Sequence, residues 1–437
     1  MENKQYLRAL MTVNRKIAPS IHSVIQPELP VFTVETLDNG LKMNVLQFPE
    51  HDILKIEFNF HAGRPEEHQR MTAYMTPRLM REGVEGMDGG AIAEHFDYYG
   101  TSVGTWSWLD ATGFSLTGLP KHAPHTIPLL ADILLRPTFP QKELDILVQT
   151  HVQELQVELE KTEVISYRVL TERLYGANHP FGYNSTAADY KAITPEALHQ
   201  YHQEHLHLGN AYLFVSGNIT DEIKALLNQY FGQIPLKAKA SDTRNIPPAV
   251  SNMPKSRKIT IKQPNALQAA VKMGRLLFNR LHPDFYEIQI LNTILGGYFG
   301  SRLMSNIREE KGYTYNIYSG IDTYYESGYM YIATEVNGEK VGATLRAIKL
   351  EMKKLRETLI DDEELLMVRN YMTGALLNGM DGPLNMSAMM RALVFERVGE
   401  EGLRRQIQAL QTMTPERIRE LAQLYLQPDD FLTVVVK

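Results

Sequence analysis

The chain runs through the same order of elements twice, and this duplication constrains its fold more than any other feature of the sequence. Strand-like runs open each half: VFTVETL, LKMNVLQF and ILKIEFNFHAG in the first, KITIKQ and ALQAAVKMGRLLF in the second. Helical stretches and further strands follow, and each half closes on a β-branched and aromatic strand, AYLFVSGNI or DFLTVVVK. A repeat of about 200 residues indicates a duplicated domain, because the units of a solenoid are much shorter.

The composition between the halves predicts where the domains divide. Segment 237–256, KAKASDTRNIPPAVSNMPKS, is rich in Ala, Ser, Asn, Pro and charge and has no apolar periodicity, which is typical of a linker. We therefore predict an N-terminal arm at 1–30, a first domain at 31–236 and a second domain at 257–437. Mixed runs of strands and helices favour an α+β fold, with helices packed on one face of a mainly antiparallel sheet in each domain.

Composition excludes several kinds of chemistry and partner. The 437 residues include no cysteine, which rules out disulfides, thiolate metal sites and a cysteine nucleophile and fits a reducing compartment. A net charge of −6 argues against a broad nucleic-acid surface. No run reaches the roughly 18 apolar residues of a membrane span. The first 30 residues lack the apolar core of a secretion signal, so we expect a cytoplasmic protein, while removal of an upstream leader would leave periplasmic export open.

Two groups of landmarks carry a family resemblance. FHAGRPEEHQRMTAYMTPRLMREG, followed later by ERLYGANHPFGYN and SGNI, resembles the N-terminal domain of the insulinase/pitrilysin family of zinc peptidases. ILGGYFGSRLMSNIREEKGYTYNIYSG is similar to the C-terminal-domain signature of the same family. The resemblance covers nearly the whole chain from residue 31. It implies two homologous domains with the metallohydrolase fold shared by LuxS and the mitochondrial processing peptidases.

The same resemblance indicates that the zinc site of active members is lost here. Those members carry His-x-x-Glu-His on a helix, so that two imidazoles on one face bind Zn²⁺ and the glutamate acts as base. The matching residues are Tyr74, Pro77 and Arg78. A protonated phenol is a poor ligand, proline has no carboxylate, and a permanent cation repels Zn²⁺. Because proline also disfavours helix for the residue before it, we predict that this helix is kinked or starts late, with Thr76 as N-cap.

Glu154 matches the distant glutamate ligand of the family. Two interpretations stay open: a solvated helix carboxylate beside Glu158, or a remnant of the site that pairs with Arg78. In either case the resemblance implies that this chain holds no zinc at the family position and that zinc belongs to a partner subunit.

Two other groups contain potential metal ligands. One is His61 with the Glu66, Glu67 and His68 that follow it; the other is the HQYHQEHLHL stretch, with His199, His202, Glu204, His205 and His207. In the second group His202 and His205 stand at i and i+3, with no carboxylate at the base offset of His-Glu-x-x-His. Metal sites also need fixed geometry that no local pattern here supplies. We interpret both as structural or surface residues and predict no metal in this chain.

The C-terminal signature keeps the family pattern. Arg308 and Tyr315, seven residues on, match the pair that reaches substrate in active members. A guanidinium donates two hydrogen bonds to a peptide carbonyl or carboxylate, and a phenol can donate to the scissile carbonyl as charge develops on it. The alternative is a helix salt bridge for Arg308 and a core position for Tyr315. The resemblance also implies that the strand around Trp106 and Trp108 adds a substrate peptide by β-addition, unless it is an ordinary strand of the sheet.

Three functional hypotheses follow. In two-subunit members of this family one subunit carries zinc and the other the Arg/Tyr pair, so the first hypothesis is a non-catalytic, substrate-binding subunit. It would be inactive alone, hold unfolded peptides beside a homologous zinc-bearing partner, and pair with itself when isolated. The second is a catalytically dead scaffold of the same fold. The third is an active peptidase with a relocated metal.

Overall fold

The computed structural model describes residues 32–238, 246–249, 254–264 and 266–437. The predicted N-terminal arm and most of the predicted linker therefore lie outside the described residues. Within those ranges, no helix combines the length and apolarity that crossing a membrane requires.

The first half contributes a six-stranded sheet in the order β1-β2-β8-β3-β7-β6. Its strands are β1 Thr33–Thr36, β2 Lys42–Gln47, β3 Leu54–Phe60, β6 Ser102–Ser107, β7 Thr112–Gly118 and β8 Ala211–Gly217, with β4 Gly83–Val84 and β5 Met87–Asp88 forming a separate small ladder. Every neighbouring pair in the large sheet is antiparallel except β2 with β8.

The second half repeats this topology in a five-stranded sheet, β11-β12-β10-β13-β9. The strands are β9 Lys258–Ile261, β10 Ala269–Leu277, β11 Ile317–Thr323, β12 Gly328–Val336 and β13 Leu432–Val436. Here too one pair is parallel, β13 with β9, and the closing strand of the half lies beside the central one. The predicted α+β class with two mainly antiparallel sheets is confirmed.

Fourteen α-helices accompany the sheets in the described residues. Those of the first half are α1 Thr72–Leu79, α2 Gly89–Tyr98, α3 Ala123–Leu135, α4 Gln141–Glu158, α5 Thr162–Tyr175, α6 Ala187–Lys191, α7 Pro195–His205 and α8 Asp221–Leu227. Those of the second are α9 Phe285–Asn292, α10 Val341–Glu357, α11 Asp362–Gly379, α12 Gly382–Phe395, α13 Gly399–Thr412 and α14 Pro415–Tyr425.

Alternation along the central strands sends apolar side chains to one face. On β3, Ile56, Phe58 and Phe60 are buried in the core that the first half builds with its own helices. Phe58 lies 4.6 Å from the ring of Phe231. On β10, Met273 enters the corresponding core of the second half. Because the side-chain period of a strand is two, the residues between these positions point to the opposite face of each sheet.

The two halves exchange one helix each to cover those opposite faces. Helix α5, from the first half, packs on β10 and β13 of the second sheet, where its Leu170 and Leu174 join Leu432 and Val434 in one cluster. Helix α12, from the second half, packs on β3 and β8 of the first sheet. The predicted helices on one face are thus complemented on the other face by a helix that comes from the opposite half.

A buried charge anchors α12 to the first sheet. Glu57, on β3, is 3% exposed and accepts a hydrogen bond of 2.8 Å from the hydroxyl of Ser387. Its carboxylate also lies 3.2 Å from the ammonium of Lys55 and 3.7 Å from the guanidinium of Arg391. A buried carboxylate is tolerated only when it is paired and hydrogen-bonded, so these contacts hold strand and helix together.

We predict that Glu57→Ala lowers the free energy of unfolding by about 3 to 5 kcal/mol, because it leaves two cations without their partner under α12. Urea denaturation followed by circular dichroism measures the change. The control is Glu35→Ala, which breaks the half-exposed 2.7 Å pair with Lys224 and should cost about 0 to 1 kcal/mol. Equal effects of the two variants would show that Glu57 does not anchor the exchanged helix.

His179 ties the turn after α5 to the described part of the connecting segment. Its Nδ1 accepts a hydrogen bond of 3.0 Å from the backbone N–H of Phe181, which places the ring proton on Nε2. That Nε2 donates to the carbonyl of Pro247 at 2.8 Å. Burial lowers the pKa of His179, and the bond to Pro247 opposes this only in part. The imidazole is therefore held neutral, as its accepting nitrogen requires.

We predict that His179 makes the protein less stable as the pH falls below about 6.5, the ordinary histidine value. Since its pKa is lower in the folded chain, the unfolded chain binds a proton first, and the free energy of unfolding drops as acid is added. The stability lost on acidification should be smaller in His179→Gln than in the wild type, as measured by urea denaturation between neutral pH and pH 5. The exposed-site variant His51→Gln should retain the wild-type pH dependence, and an unchanged profile in His179→Gln would contradict the assignment.

Candidate functional site

Helix α1 carries all three residues that match the zinc motif. It begins at Thr72, after Met71 in a left-handed conformation with φ of 74°, and Pro77 lies inside it. The predicted late start with Thr76 as N-cap is therefore wrong. The carboxylate of Glu67 accepts a hydrogen bond of 2.9 Å from the N–H of Ala73, one of the N–H groups that lack a partner within the helix. This bond stabilises a helix start about one turn before the predicted one. Burial raises the pKa of Glu67 to about 7, although a hydrogen bond from Tyr183 opposes this shift.

A cation stacks on a phenol at the two positions that the resemblance matches to the motif's histidines. The guanidinium carbon of Arg78 lies 3.5 Å from the ring centroid of Tyr74, within cation–π range. Its Nη1 also donates to the carbonyl of Tyr74 at 2.6 Å and to the hydroxyl of Ser107 at 3.3 Å. The guanidinium is thereby fixed by one helix turn and by the end of strand β6.

The second helix of the motif meets this pair through His151. The rings of Tyr74 and His151 are 5.2 Å apart, and Tyr190 stacks on His151 at 5.8 Å. Glu154 has a side chain that is 60% exposed and lies 2.7 Å from Nδ1 of His151. Glu154 is thus a largely solvated carboxylate that pairs with His151 rather than with Arg78.

These residues do not fit a catalytic zinc ion. Burial raises the pKa of Tyr190, and nearby Tyr74 adds to the effect, so this phenol stays protonated and is a poor ligand. One imidazole and one carboxylate remain, and they are bonded to each other next to a permanent cation. A zinc peptidase site needs three convergent protein ligands and an open position for water. The position therefore supplies a positive charge and aromatic surface instead of a metal.

Strand β6 lies at the edge of the first sheet, beside this cluster. It pairs with β7 on one side, and within the described residues no strand pairs with its other side. Trp106 and Trp108 lie 4.4 Å apart, and the guanidinium of Arg391 is 5.4 Å from each ring. The strand that ends next to Arg78 thus offers unpaired backbone groups to an extended segment, as β-addition requires.

Arg308 and Tyr315 occupy the surface of the second half. Arg308 lies in the helical segment Met304–Glu310 and stacks at 4.6 Å over the exposed ring of Phe299. Tyr315 follows in the connection to β11 and is 88% exposed. Within the described residues Arg308 forms no salt bridge, so the predicted alternatives, a helix ion pair and a core tyrosine, are both wrong. No hydrogen bond or ring contact in the described part of the chain links either residue to the Tyr74 cluster.

A cavity of about 400 Å³ opens beside Tyr315. Its walls include Lys272 on β10, Glu163 on α5 and Glu335 on β12. Lys272 is 6% exposed, and its ammonium forms no hydrogen bond or ion pair with a described residue. Burial lowers the pKa of Lys272, while the nearby carboxylates, Glu163 first among them, oppose the shift. The exposed tyrosine therefore borders a polar recess between the exchanged helix and the second sheet.

The sequence analysis does not predict the roles of His151, Tyr190 and Lys272, and only His151 has a local signal. His151 is three residues before Glu154 on a helix, and positions i and i+3 share a face, so its contact with Glu154 was predictable. Tyr190 and Lys272 have no such signal, because their roles depend on which distant elements pack against them.

Three comparisons relate the chain to known proteins. Residues 192–372 match the family model described as the peptidase M16 inactive domain. The uncharacterized zinc protease YmxG of Bacillus subtilis is 25% identical over 350 residues, which cover 79% of this chain and 84% of that protein. An uncharacterized zinc protease of Rickettsia felis is 24% identical over 356 residues, 79% of this chain and 83% of that one.

Solved structures share the fold. A peptidase M16 inactive domain from Pseudomonas fluorescens superposes with a TM-score of 0.84 at 24% identity, over 93% of this chain and 98% of that chain. A Helicobacter pylori protease gives 0.82 at 17% identity, over 94% and 100% of the two chains. The resemblance to the insulinase/pitrilysin peptidases, which are the M16 peptidases, is confirmed: residues 192–372 match the M16 inactive-domain model, and most of the chain is similar to uncharacterized zinc proteases and to solved M16 structures.

Proposed function

We propose that this M16-like chain is a non-catalytic, substrate-binding subunit that works beside a homologous subunit carrying zinc. The observation that supports the proposal is the stacking of Arg78 on Tyr74 at 3.5 Å, a fixed cation at positions that the resemblance matches to the zinc ligands of active members. The chain alone is therefore inactive in peptide cleavage, and zinc is the cofactor of the partner.

The exposed Arg/Tyr pair supports a role in the partner's site. A tyrosine that is 88% exposed stabilises no core, so its hydroxyl is available to a molecule outside this chain. An arginine without a carboxylate partner keeps its donors for a peptide carbonyl. Placed in the partner's site, Tyr315 would donate to the scissile carbonyl as it gains negative charge, while Arg308 would hold the substrate backbone.

The edge strand supports a role in holding substrate. Unpaired N–H and C=O groups on β6 would add an unfolded peptide by backbone hydrogen bonds, which recognise an extended conformation rather than one sequence. Trp106 and Trp108 beside it provide apolar contact area. A subunit of this kind binds unfolded segments of many sequences.

Mixing the chain with a zinc-bearing homologous subunit should produce peptidase activity that neither has alone. We predict that Tyr315→Phe then lowers kcat by about 10² to 10³, the loss typical of one oxyanion donor, and that Arg308→Ala mainly raises KM. Cleavage of a fluorogenic peptide measures both. Tyr98→Phe, at a tyrosine that is 81% exposed, is the matched control and should keep the wild-type rate. Cleavage that is indifferent to both Arg308 and Tyr315 would contradict the shared site and favour the scaffold hypothesis.

Restoring the motif should restore metal binding. We predict that the triple variant Tyr74→His, Pro77→Glu and Arg78→His gains one equivalent of zinc over the wild type, because it replaces a cation and a phenol by two imidazoles near Glu154. Metal analysis after dialysis measures the difference. Adding Glu154→Gln to the triple variant should remove the gained equivalent. A folded triple variant that gains no zinc would mean that helices α1 and α4 do not place these residues as in active members.

A further inference from the structure

Three potential metal ligands converge away from the Tyr74 cluster. His68 follows the 3₁₀ turn Arg64–Glu66, and Glu204 and His205 are the last residues of α7. The Nε2 atom of His68 lies 2.9 Å from Oε2 of Glu204, and Nε2 of His205 lies 3.6 Å from the same oxygen. All three ligand atoms are within 4.8 Å of one another. The fold thus unites one member of the first histidine-rich group with two members of the second.

The spacing fits a first-row transition metal. Tetrahedral zinc with ligands at about 2.0 to 2.2 Å separates neighbouring ligand atoms by about 3.4 Å. The observed 2.9 and 3.6 Å lie on either side of that value, so small side-chain rotations would bring the three atoms around one ion. Two imidazoles and one carboxylate form a ligand set that zinc uses when it keeps a position for water. Hard cations such as Mg²⁺ prefer an all-oxygen set, which this group does not provide.

Neighbouring contacts orient the ligands. The Nε2 of Gln200 donates to Oε1 of Glu204 at 3.0 Å, which leaves Oε2 directed at the two histidines. The ring of His205 packs 4.9 Å from that of Tyr201. Such outer contacts fix the orientation of ligand side chains and reduce the entropy lost on metal binding.

The loop that carries His68 is also fixed on its surroundings. The hydroxyl of Tyr201 donates to the carbonyl of Gly63 at 3.1 Å, and the amide of Gln69 donates to the carbonyl of Ala192 at 2.7 Å. His68 itself is largely exposed, with 71% of its side chain accessible, so an ion can reach the group from solvent. The elements on both sides of the group are therefore fixed, while the group itself is open to solvent.

Although the sequence alone predicts no metal in this chain, we propose that His68, Glu204 and His205 bind one divalent transition-metal ion, with zinc as the expected occupant and water completing its coordination. The ion would connect the loop before α1 to the end of α7. It would have a structural role and take no part in peptide hydrolysis, because among the described residues the group contains no carboxylate beyond its ligand Glu204. The site is separate from the lost motif on α1, and the inference does not depend on a partner subunit.

The test is zinc titration of the full chain, purified without a histidine tag and stripped with chelator, by isothermal calorimetry. We expect one binding event in the wild type and a rise in Tm with zinc, since an ion that binds only the folded chain stabilises it. His68→Ala should weaken binding at least tenfold and remove the zinc-dependent Tm rise. This exposed substitution should leave the metal-free Tm unchanged, and Glu204→Gln should reproduce its effect on zinc.

Two further variants separate the outcomes. His199→Ala, on the same helix but outside the cluster, should bind zinc as the wild type does. Zinc that binds equally to the wild type and to His68→Ala, or that does not bind the wild type at all, would overturn the inference while leaving the proposed function intact. Binding that is lost in His151→Ala but kept in His68→Ala would place the metal at the Tyr74 cluster and overturn both.

Discussion

The exchange of helices between the halves is the constraint on which the rest of the structure depends. Each sheet buries one face under helices of its own half and the other under a helix from the opposite half, α5 in one direction and α12 in the other. A sheet with one face uncovered would expose Phe214 and Leu46 of the first half, or Leu432 and Val434 of the second. Neither half therefore buries both faces of its sheet alone, and the apolar area buried under the exchanged helices holds the two halves together.

The two exchanged interfaces differ in how they treat a charged residue on the central strand. Each covers a charged residue on the central strand, Glu57 under α12 and Lys272 under α5. Glu57 is neutralised by Lys55 and Arg391 and hydrogen-bonded by Ser387, so its interface is closed. Lys272 faces an open recess next to Tyr315. One interface is thus an anchor, and the other is a polar surface next to a residue that we assign to substrate binding.

Features that depend on the period of apolar residues and on the order of elements are predictable from the sequence. Features that depend on contacts between distant residues are not. Alternation along β3 and β10 and the β-branched closing strands were sufficient for the fold class, because burial on one face imposes a period of two. The predicted start of α1 is wrong because the side chain of Glu67 caps the helix, and no local N-cap pattern includes a residue at that distance from the first turn. The sequence leaves Glu154 either solvated or paired with Arg78, and the structure pairs it with His151 of the same helix. His68 and Glu204 belong to two separate histidine-rich groups, 136 residues apart, and only the fold joins them.

The chemistry at the motif explains why its loss is hard to reverse. Changing Arg78 alone to histidine would leave a phenol and a proline at the other two positions, so no zinc site would form. Changing Tyr74 alone would remove the aromatic face under the guanidinium and leave the cation beside any metal that approached. Each single step gives up a favourable contact and gains no ligand set, and function is therefore expected to reside in the surfaces that remain open. The edge of β6 and the side chains of Arg308 and Tyr315 keep hydrogen-bonding capacity that is unused within the described chain, and our proposal assigns this capacity to a substrate from outside it.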